Sequence, residues 1–137
     1  MMGGDWYAFT DAQLQRILDG ELDWLKFLFD ELPEKPRECF SKAEPYWNEI
    51  RELLSDEDAC GLEVTTQIPE ATGYSFASDV EDVARRLSKL AEDDLRKRYA
   101  ELDLEPDFAE LYPLVKALID FYQRAATNRD AVLFRVT

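Results

Sequence analysis

The 137-residue sequence contains no histidine, which excludes several kinds of catalytic and metal site. Ser-His-Asp and Cys-His catalysis both need an imidazole to carry the proton, and histidine is also the commonest zinc ligand. Glycine is scarce, with five residues, and no phosphate-binding or dinucleotide-binding glycine loop occurs. We therefore expect no catalytic residue, no metal and no cofactor.

Cysteine occurs only at Cys39 and Cys60, too few for a tetrahedral thiolate site and too sparse for a secreted disulfide scaffold. One disulfide between them is compatible with the sequence, but two idle thiols are the simpler expectation for a reducing cytoplasm. The start, MMGGDWYAFTD, lacks the features of a signal peptide, and the longest apolar stretch, residues 22–32, is short and interrupted by charges. The sequence predicts a cytoplasmic protein.

Basic residues are few: 16 Lys and Arg face 30 Asp and Glu, and the formal net charge is -14. Such a chain repels DNA, RNA and anionic membrane surfaces overall, so neither nucleic acid nor membrane is an expected partner. Hydrophobic residues make up 46% of the chain, enough for one core. The length suits a single domain over residues 1–137.

Two β-prone runs stand at opposite ends of the chain, at residues 6–9 and 131–136. Apolar residues recur at helical spacing between them, which predicts helices over residues 10–20, 21–31, 41–55, 78–91, 92–100 and 107–127. Pairing of the terminal strands would place a small sheet against these helices. The predicted fold class is α+β, mostly helical, with a small sheet that pairs the N-terminal and C-terminal strands.

Local signals add detail to this outline. Thr10 with Gln13, and the segment Ser41 to Glu44, have the spacing of capping boxes at helix starts. The second helix is apolar nearly all round, which predicts a central place in the core. Pro113 should kink or restart the last helix. Residues 59–76 are irregular and predict a loop with one edge strand.

The negative charge is concentrated in the first three-fifths of the sequence. Residues 1–82 contain 20 acidic and 6 basic residues, whereas residues 83–137 contain 10 of each. An anionic surface here suits a basic protein partner, whose association it would accelerate. A solvated face that only maintains solubility is the alternative. The residues that we expect at a partner interface are Asp56, Glu57, Asp58, Glu63 and Glu70.

Six basic residues fall close together, at Arg85, Arg86, Lys89, Arg96, Lys97 and Arg98. A phosphate site is conceivable, but the carboxylates of residues 92–94 lie between these groups and can pair with them at helical spacing. We therefore expect a solvated, salt-bridged face. The alternative to a protein-binding function is a small-molecule-binding protein, or a carboxylate-based enzyme or sensor, that uses Arg85, Arg86 and Arg96.

Four segments carry a family resemblance: GYSF at residues 73–76, LAEDDLRKRY at 90–99, LIDFYQRAA at 118–126 and DAVLF at 130–134. Together with the N-terminal strand and the helix that carries Trp47, they resemble the YfbM-like family of small bacterial proteins. The sequence departs from the family pattern in a shortened stretch between Trp47 and Tyr74. It also lacks the family's glycine-rich start beyond Gly3 and Gly4.

The resemblance implies an α+β domain with no established catalytic residue to transfer. Some relatives lie beside genes for secreted toxins, which implies an immunity role. We therefore expect a non-enzymatic protein-binding domain, most concretely an immunity protein that neutralises a cognate bacterial toxin through its acidic surface.

Overall fold

A five-stranded sheet forms the middle layer of the fold. The computed structural model describes residues 3–29, 31–41, 43, 46–61, 63–64 and 72–136. The strands are β1 (Gly4–Phe9), β2 (Glu38–Phe40), β3 (Glu63–Val64), β4 (Thr72–Ser75) and β5 (Ala131–Val136). Their order in the sheet is β2-β1-β5-β4-β3, and each neighbouring pair is antiparallel.

Helices cover both faces of this sheet. Those within the described residues are α1 (Asp11–Leu18), α2 (Trp24–Leu28), α3 (Trp47–Leu53), α4 (Ala77–Ser88), α5 (Glu92–Glu101) and α6 (Phe108–Thr127). A short 3-10 turn, Ser55–Glu57, follows α3. The predicted fold class is confirmed: the protein is α+β and mostly helical, and its small sheet includes strands from both ends of the sequence.

The centre of the sheet is the pair β1 and β5, which align over their whole length from Gly4 opposite Val136 to Phe9 opposite Ala131. This confirms the predicted pairing. Side chains of β5 alternate between the two faces, as the pattern predicts, yet every residue of the strand is buried. Five of its six side chains are apolar because helices cover both faces of the sheet. The exception is the buried Arg135, whose guanidinium lies over the rings of Trp24 and Phe29.

The larger core lies between the sheet and helices α3 to α6. Trp6 is completely buried there, and its ring centroid lies 4.5 Å from that of Phe134. From α6, Phe121 and Tyr122 are also completely buried. Large aromatic side chains that bury this much area dominate the stability of a core.

The smaller core lies on the opposite face, under α1 and α2. Phe9 and Phe27 meet edge to face there, with ring centroids 5.1 Å apart. Helix α1 begins with the predicted capping box, in which the Gln13 amide donates to Thr10 Oγ1 and the Thr10 amide donates to Gln13 Oε1. The reciprocal bonds satisfy two backbone donors at the helix start.

Helix α2 differs from its prediction. It spans five residues, and Leu25 and Phe29 are 48% and 53% exposed, so the expected central position is wrong. Phe27 and Leu28 are the buried residues of this helix. Trp24 is half-buried against the edge of this core and beneath the Arg135 guanidinium, whereas Leu25 faces outward, where nothing described covers it.

The strands between the two ends were only partly predicted. Residues 59–76 hold β3 at the edge of the sheet, as expected, and also β4, which pairs with β5. Strand β2 was not predicted at all, because Pro33 and Pro36 immediately before it indicate a loop. Pairing with β1 defines β2, a long-range contact that local patterns do not reveal.

Two further predictions concern prolines and caps. Of the kink or restart predicted at Pro113, the restart does not occur, because helix α6 runs continuously through this residue. Pro113 lies in the second turn, where it removes a single backbone bond near the helix start. The predicted capping box from Ser41 to Glu44 lies largely outside the described residues.

Candidate functional site

Residues 55–61 form a tightly anchored segment after α3, which we call the acidic turn. Two buried side chains hold its backbone: Trp6 Nε1 donates to the carbonyl oxygen of Ala59 at 2.7 Å, and the Tyr122 hydroxyl donates to the same oxygen at 2.6 Å. Burial raises the pKa of Tyr122 well above its usual value, so the hydroxyl keeps its proton. The core therefore fixes the position of this surface segment.

The backbone of the acidic turn requires two unusual conformations and one close approach. Asp58 has a φ of 58° and Gly61 a φ of 100°, both in the left-handed region. On the neighbouring strand β4, a Cβ atom at Gly73 would lie 2.0 Å from the carbonyl oxygen of Cys60. Gly73 is thus the residue that lets β4 pass directly beneath the turn.

Glu57 is the most buried acidic residue of the turn, with 6% exposure. Its two carboxylate oxygens accept from Arg98 Nη1 at 2.5 Å and Nη2 at 2.8 Å, and Arg98 Nη1 also donates to the carbonyl of Leu53 at 3.1 Å. The hydrogen bonds that Arg98 donates to Glu57 raise the pKa of Arg98. Glu57 is therefore occupied in holding α5 to the turn and offers little surface to a partner.

Asp58 is also engaged within the fold. Its Oδ2 accepts from Arg86 Nη1 of α4 at 3.1 Å, and the same Arg86 nitrogen lies 3.4 Å from the backbone oxygen of Asp56. Both side chains of this ion pair are more than one-third exposed. The pair ties α4 to the turn while it remains accessible to solvent.

The remaining acidic side chains of this surface are open to solvent. Asp56 on the turn, Glu63 on β3 and Glu52 at the end of α3 are all exposed. No Lys or Arg among the described residues lies within ion-pair distance of any of the three. The fifth predicted interface residue, Glu70, lies outside the described residues. The structure thus brings Asp56, Glu57 and Asp58 together on one turn, and Asp56 forms no ion pair with any Lys or Arg that the structure describes.

The basic residues of α4 and α5 are largely neutralised within the fold. Arg85 pairs with Asp82 one turn earlier, and Arg96 Nε donates to Glu92 at 3.0 Å. Arg86 and Arg98 form ion pairs with carboxylates of the acidic turn, and not with those of residues 92–94 that helical spacing predicts. The expected salt-bridged face is present, and its arginines each bind a carboxylate of their own.

The two cysteines are both thiols and are not joined by a disulfide. Burial raises the pKa of Cys60 to about 12, an effect that the nearby Arg51 opposes only in part. Within the described part of the chain, no three Cys, Asp or Glu side chains are grouped so that they could hold a metal ion.

The helices of the described residues are too short or too polar to cross a membrane.

A second polar region, which no sequence motif marks, surrounds β2. Arg37 Nε donates to Asp130 Oδ2 at 2.7 Å, and Arg124 Nε of α6 donates to Glu38 Oε1 at 2.8 Å. Asp130 is 1% exposed, and burial raises its pKa even though Arg37 acts in the opposite direction. The sequence signal for β2 is short, because it consists only of the four residues from Arg37 to Phe40, in which charged and less polar side chains alternate. The two prolines just before it indicate a loop instead.

Comparison with known proteins places this fold in a family. Residues 2–135 match the model of a domain of unknown function, DUF1877. The crystal structure of YfbM, a protein of unknown function from Escherichia coli, is similar with a TM-score of 0.68 and 15% sequence identity, over 100% of both chains. No curated protein matches the chain. Since the family model spans nearly the whole sequence, the chain belongs to the DUF1877 family of YfbM-like proteins.

Proposed function

We propose that this chain is a non-enzymatic protein-binding domain, most concretely an immunity protein that neutralises a cognate bacterial toxin. The observation that carries the proposal is Asp56, an exposed carboxylate without an ion-pair partner among the described residues, held on a turn that the core anchors. The acidic turn and the neighbouring Glu52 and Glu63 are its docking surface.

The first support is rigidity. Four side chains from separate parts of the sequence, Trp6, Tyr122, Arg86 and Arg98, bind the backbone or carboxylates of the acidic turn. A surface that is already ordered before association loses little conformational entropy when a partner binds. The acidic turn meets this requirement better than a loose acidic loop would.

The second support is charge. Asp56, Glu52 and Glu63 create a negative field, because these three exposed carboxylates form no ion pair with a described Lys or Arg, in a chain whose formal net charge is -14. Such a field attracts a basic protein over a distance of about 10 Å at moderate salt and raises the association rate. A toxin with a basic active-site cleft is a partner of this kind.

The experiment begins with capture of the partner by the tagged full-length chain, washed at low and at high salt, and identified by mass spectrometry. Association of the purified pair is then measured by a surface-binding method at several salt concentrations. The variant Glu52→Lys/Asp56→Lys/Glu63→Lys should slow association about tenfold or more at low salt. The dissociation rate should change less.

The matched control carries the same change in net charge on the opposite face, at Asp19→Lys/Glu21→Lys/Glu31→Lys, three exposed positions near α1 and α2. We expect this variant to slow association far less than the variant in the acidic turn. An association rate that does not depend on salt, or equal effects of the two variants, would rule out docking through the acidic turn.

An immunity role makes a further demand on the captured partner. A purified toxin should lose its activity when it is mixed with an equimolar amount of the chain. The Asp56-containing triple variant should need a higher concentration to reach the same inhibition. If the chain binds the captured partner but leaves its activity unchanged, the protein-binding function stands and the immunity role is ruled out.

A further inference from the structure

Strand β2 lies at one edge of the sheet and is the basis of this inference. It pairs with β1 through Phe40 opposite Trp6, and an additional bond from the Arg37 amide to the Ala8 carbonyl extends the pairing. No described strand pairs with its outer side. Alternate N–H and C=O groups of β2 therefore point away from the sheet, which is the arrangement that accepts an added strand.

A pocket of about 280 Å³ borders β2 on the face toward α6. Half-buried Ala117 gives it an apolar wall above the buried rings of Phe40 and Phe121, and exposed Asp120 also lines it. Arg124 lines the same pocket but is engaged with Glu38, whereas no described Lys or Arg pairs with the exposed Asp120. The pocket thus offers an apolar wall with an available negative charge.

A second pocket, of about 390 Å³, borders β2 on the opposite face, beneath the end of α2. Its wall contains Leu28 and the half-exposed ring of Phe29, together with the polar groups of Asp5 and Tyr7. The Arg37 guanidinium at this pocket is already paired with Asp130. Both pockets touch the same short stretch of chain, since Cys39 and Ser41 line each of them.

We propose that the outer edge of β2 binds an extended segment of a partner protein as a sixth strand. Successive side chains of a strand point to opposite faces of the sheet, so two neighbouring residues of the segment would enter the two pockets. The backbone of the segment pairs with β2, and the pockets select its side chains.

The charge of the first pocket specifies the side chain that it takes. A Lys or Arg side chain can lay its aliphatic stem along Ala117 and the small exposed part of Phe40 and place its cation beside Asp120. Because Arg124 is already paired with Glu38, a carboxylate in the segment would meet the Asp120 charge without a free cation from the described lining residues to offset it. The preferred partner segment is therefore extended and basic.

The test uses a displayed library of random heptapeptides, selected against the full-length chain. Enriched peptides should contain Lys or Arg, and a synthetic copy should bind measurably by fluorescence anisotropy. Hydrogen exchange of the amides of residues 37–41 should slow when the peptide is bound. In an extended peptide, every second backbone N–H faces β2. N-methylation of one of the two alternating sets of amides, the set that faces β2, should weaken binding at least tenfold, because it removes the strand pairing while keeping every side chain.

Protein variants distinguish binding in the Asp120 pocket from nonspecific attraction of a basic peptide to an acidic protein. Asp120→Lys should weaken peptide binding at least tenfold, whereas Asp103→Lys, at another exposed carboxylate, should have little effect. Asp56→Lys should also leave peptide binding unchanged, so this inference and the function proposed for the acidic turn can fail separately.

Several outcomes would overturn the inference. They are a library that enriches no peptide, enriched peptides that bind Asp120→Lys normally, and binding that tolerates N-methylation in both registers. Sedimentation showing that a second copy of the chain occupies the β2 edge would equally reject a basic partner segment there. Binding of a small zwitterion without any slowing of exchange in β2 would identify the pockets as ligand sites instead.

Discussion

Arg98 and Glu57 form a two-point ion pair that joins α5 to the acidic turn across 41 residues of sequence. Planar guanidinium and carboxylate groups that meet through two parallel hydrogen bonds are held in both distance and orientation. Glu57 is 6% exposed and its Arg98 partner is about one-quarter exposed. The pair therefore fixes the helix and the turn relative to each other.

Removal of Arg98 should destabilise the protein because it leaves the Glu57 carboxylate buried without its partner. Arg98→Met should lower the free energy of unfolding by about 2–3 kcal/mol, somewhat below the cost of breaking a fully buried pair. Urea denaturation followed by circular dichroism gives this value. Arg85→Met, at an exposed ion pair, should cost less than about 1 kcal/mol.

A double-mutant cycle with Glu57→Gln tests whether this loss comes from the pair itself. The two changes should be strongly non-additive, because each already breaks the same interaction. Additive effects would show that the pair does not couple α5 to the turn.

Stability should fall in alkaline solution because buried acidic groups keep their protons in the fold. The pKa values of Tyr7 and Tyr122 lie well above the usual 10.0, and that of Cys60 is raised from 9.0 to about 12. Each group ionises in the unfolded chain before it does so in the folded one. The stabilisation is thus complete below about pH 9 and is lost as the pH rises, by up to about 1.4 kcal/mol per pH unit and group.

Urea denaturation between pH 8 and pH 11 measures this loss. Tyr122→Phe removes one of the groups and should make the decline above pH 10 less steep, although it also removes the hydrogen bond to Ala59. If the free energy of unfolding of Tyr122→Phe declines as steeply as that of the unmodified protein, the pKa of Tyr122 is the same in the folded and the unfolded chain.

Gly73 should not tolerate even a methyl group. In Gly73→Ala the new Cβ would lie 2.0 Å from the carbonyl oxygen of Cys60, so β4 and the acidic turn must move apart. We expect a loss of about 1–3 kcal/mol, measured as a lower thermal midpoint. Ser78→Ala, at an exposed site in α4, should change the midpoint little, and an unchanged midpoint for Gly73→Ala would show that the close approach is not maintained.

The two thiols should react at very different rates. Cys39 is exposed on β2, whereas Cys60 is only partly accessible and its pKa of about 12 leaves almost no thiolate at neutral pH. Titration of the folded protein with a chromogenic disulfide should modify one thiol quickly, and the second should follow only in denaturant. In Cys39→Ser the fast phase should disappear; its persistence would assign it to Cys60.

The helices were predictable because their signals are local. Thr10 and Gln13 cap α1 as expected, and the apolar spacing of residues 107–127 gives α6 to within one residue at its start. Strands β2 and β4 were not predicted, because pairing with distant β1 and β5 defines them. Short strands of this kind carry too few residues for a pattern to be recognised.

The same distinction applies to the acidic surface. The sequence shows that Asp56, Glu57 and Asp58 are consecutive carboxylates, and it predicts one shared role for them. Their roles differ because their partners come from distant helices: Arg98 buries Glu57, Arg86 pairs with Asp58, and Asp56 faces solvent. Only the tertiary structure brings these arginines to the turn.

The pairing of β1 with β5 also sets the order of events during synthesis. Residues 4–9 cannot find their partner until residues 131–136 have left the ribosome, so the centre of the sheet must close after the more than one hundred residues between them have been made. Contacts between such distant segments slow folding because the loop between them must first be closed. Until then, the apolar side chains of β1 can be buried only temporarily, against nearby α1 or a chaperone.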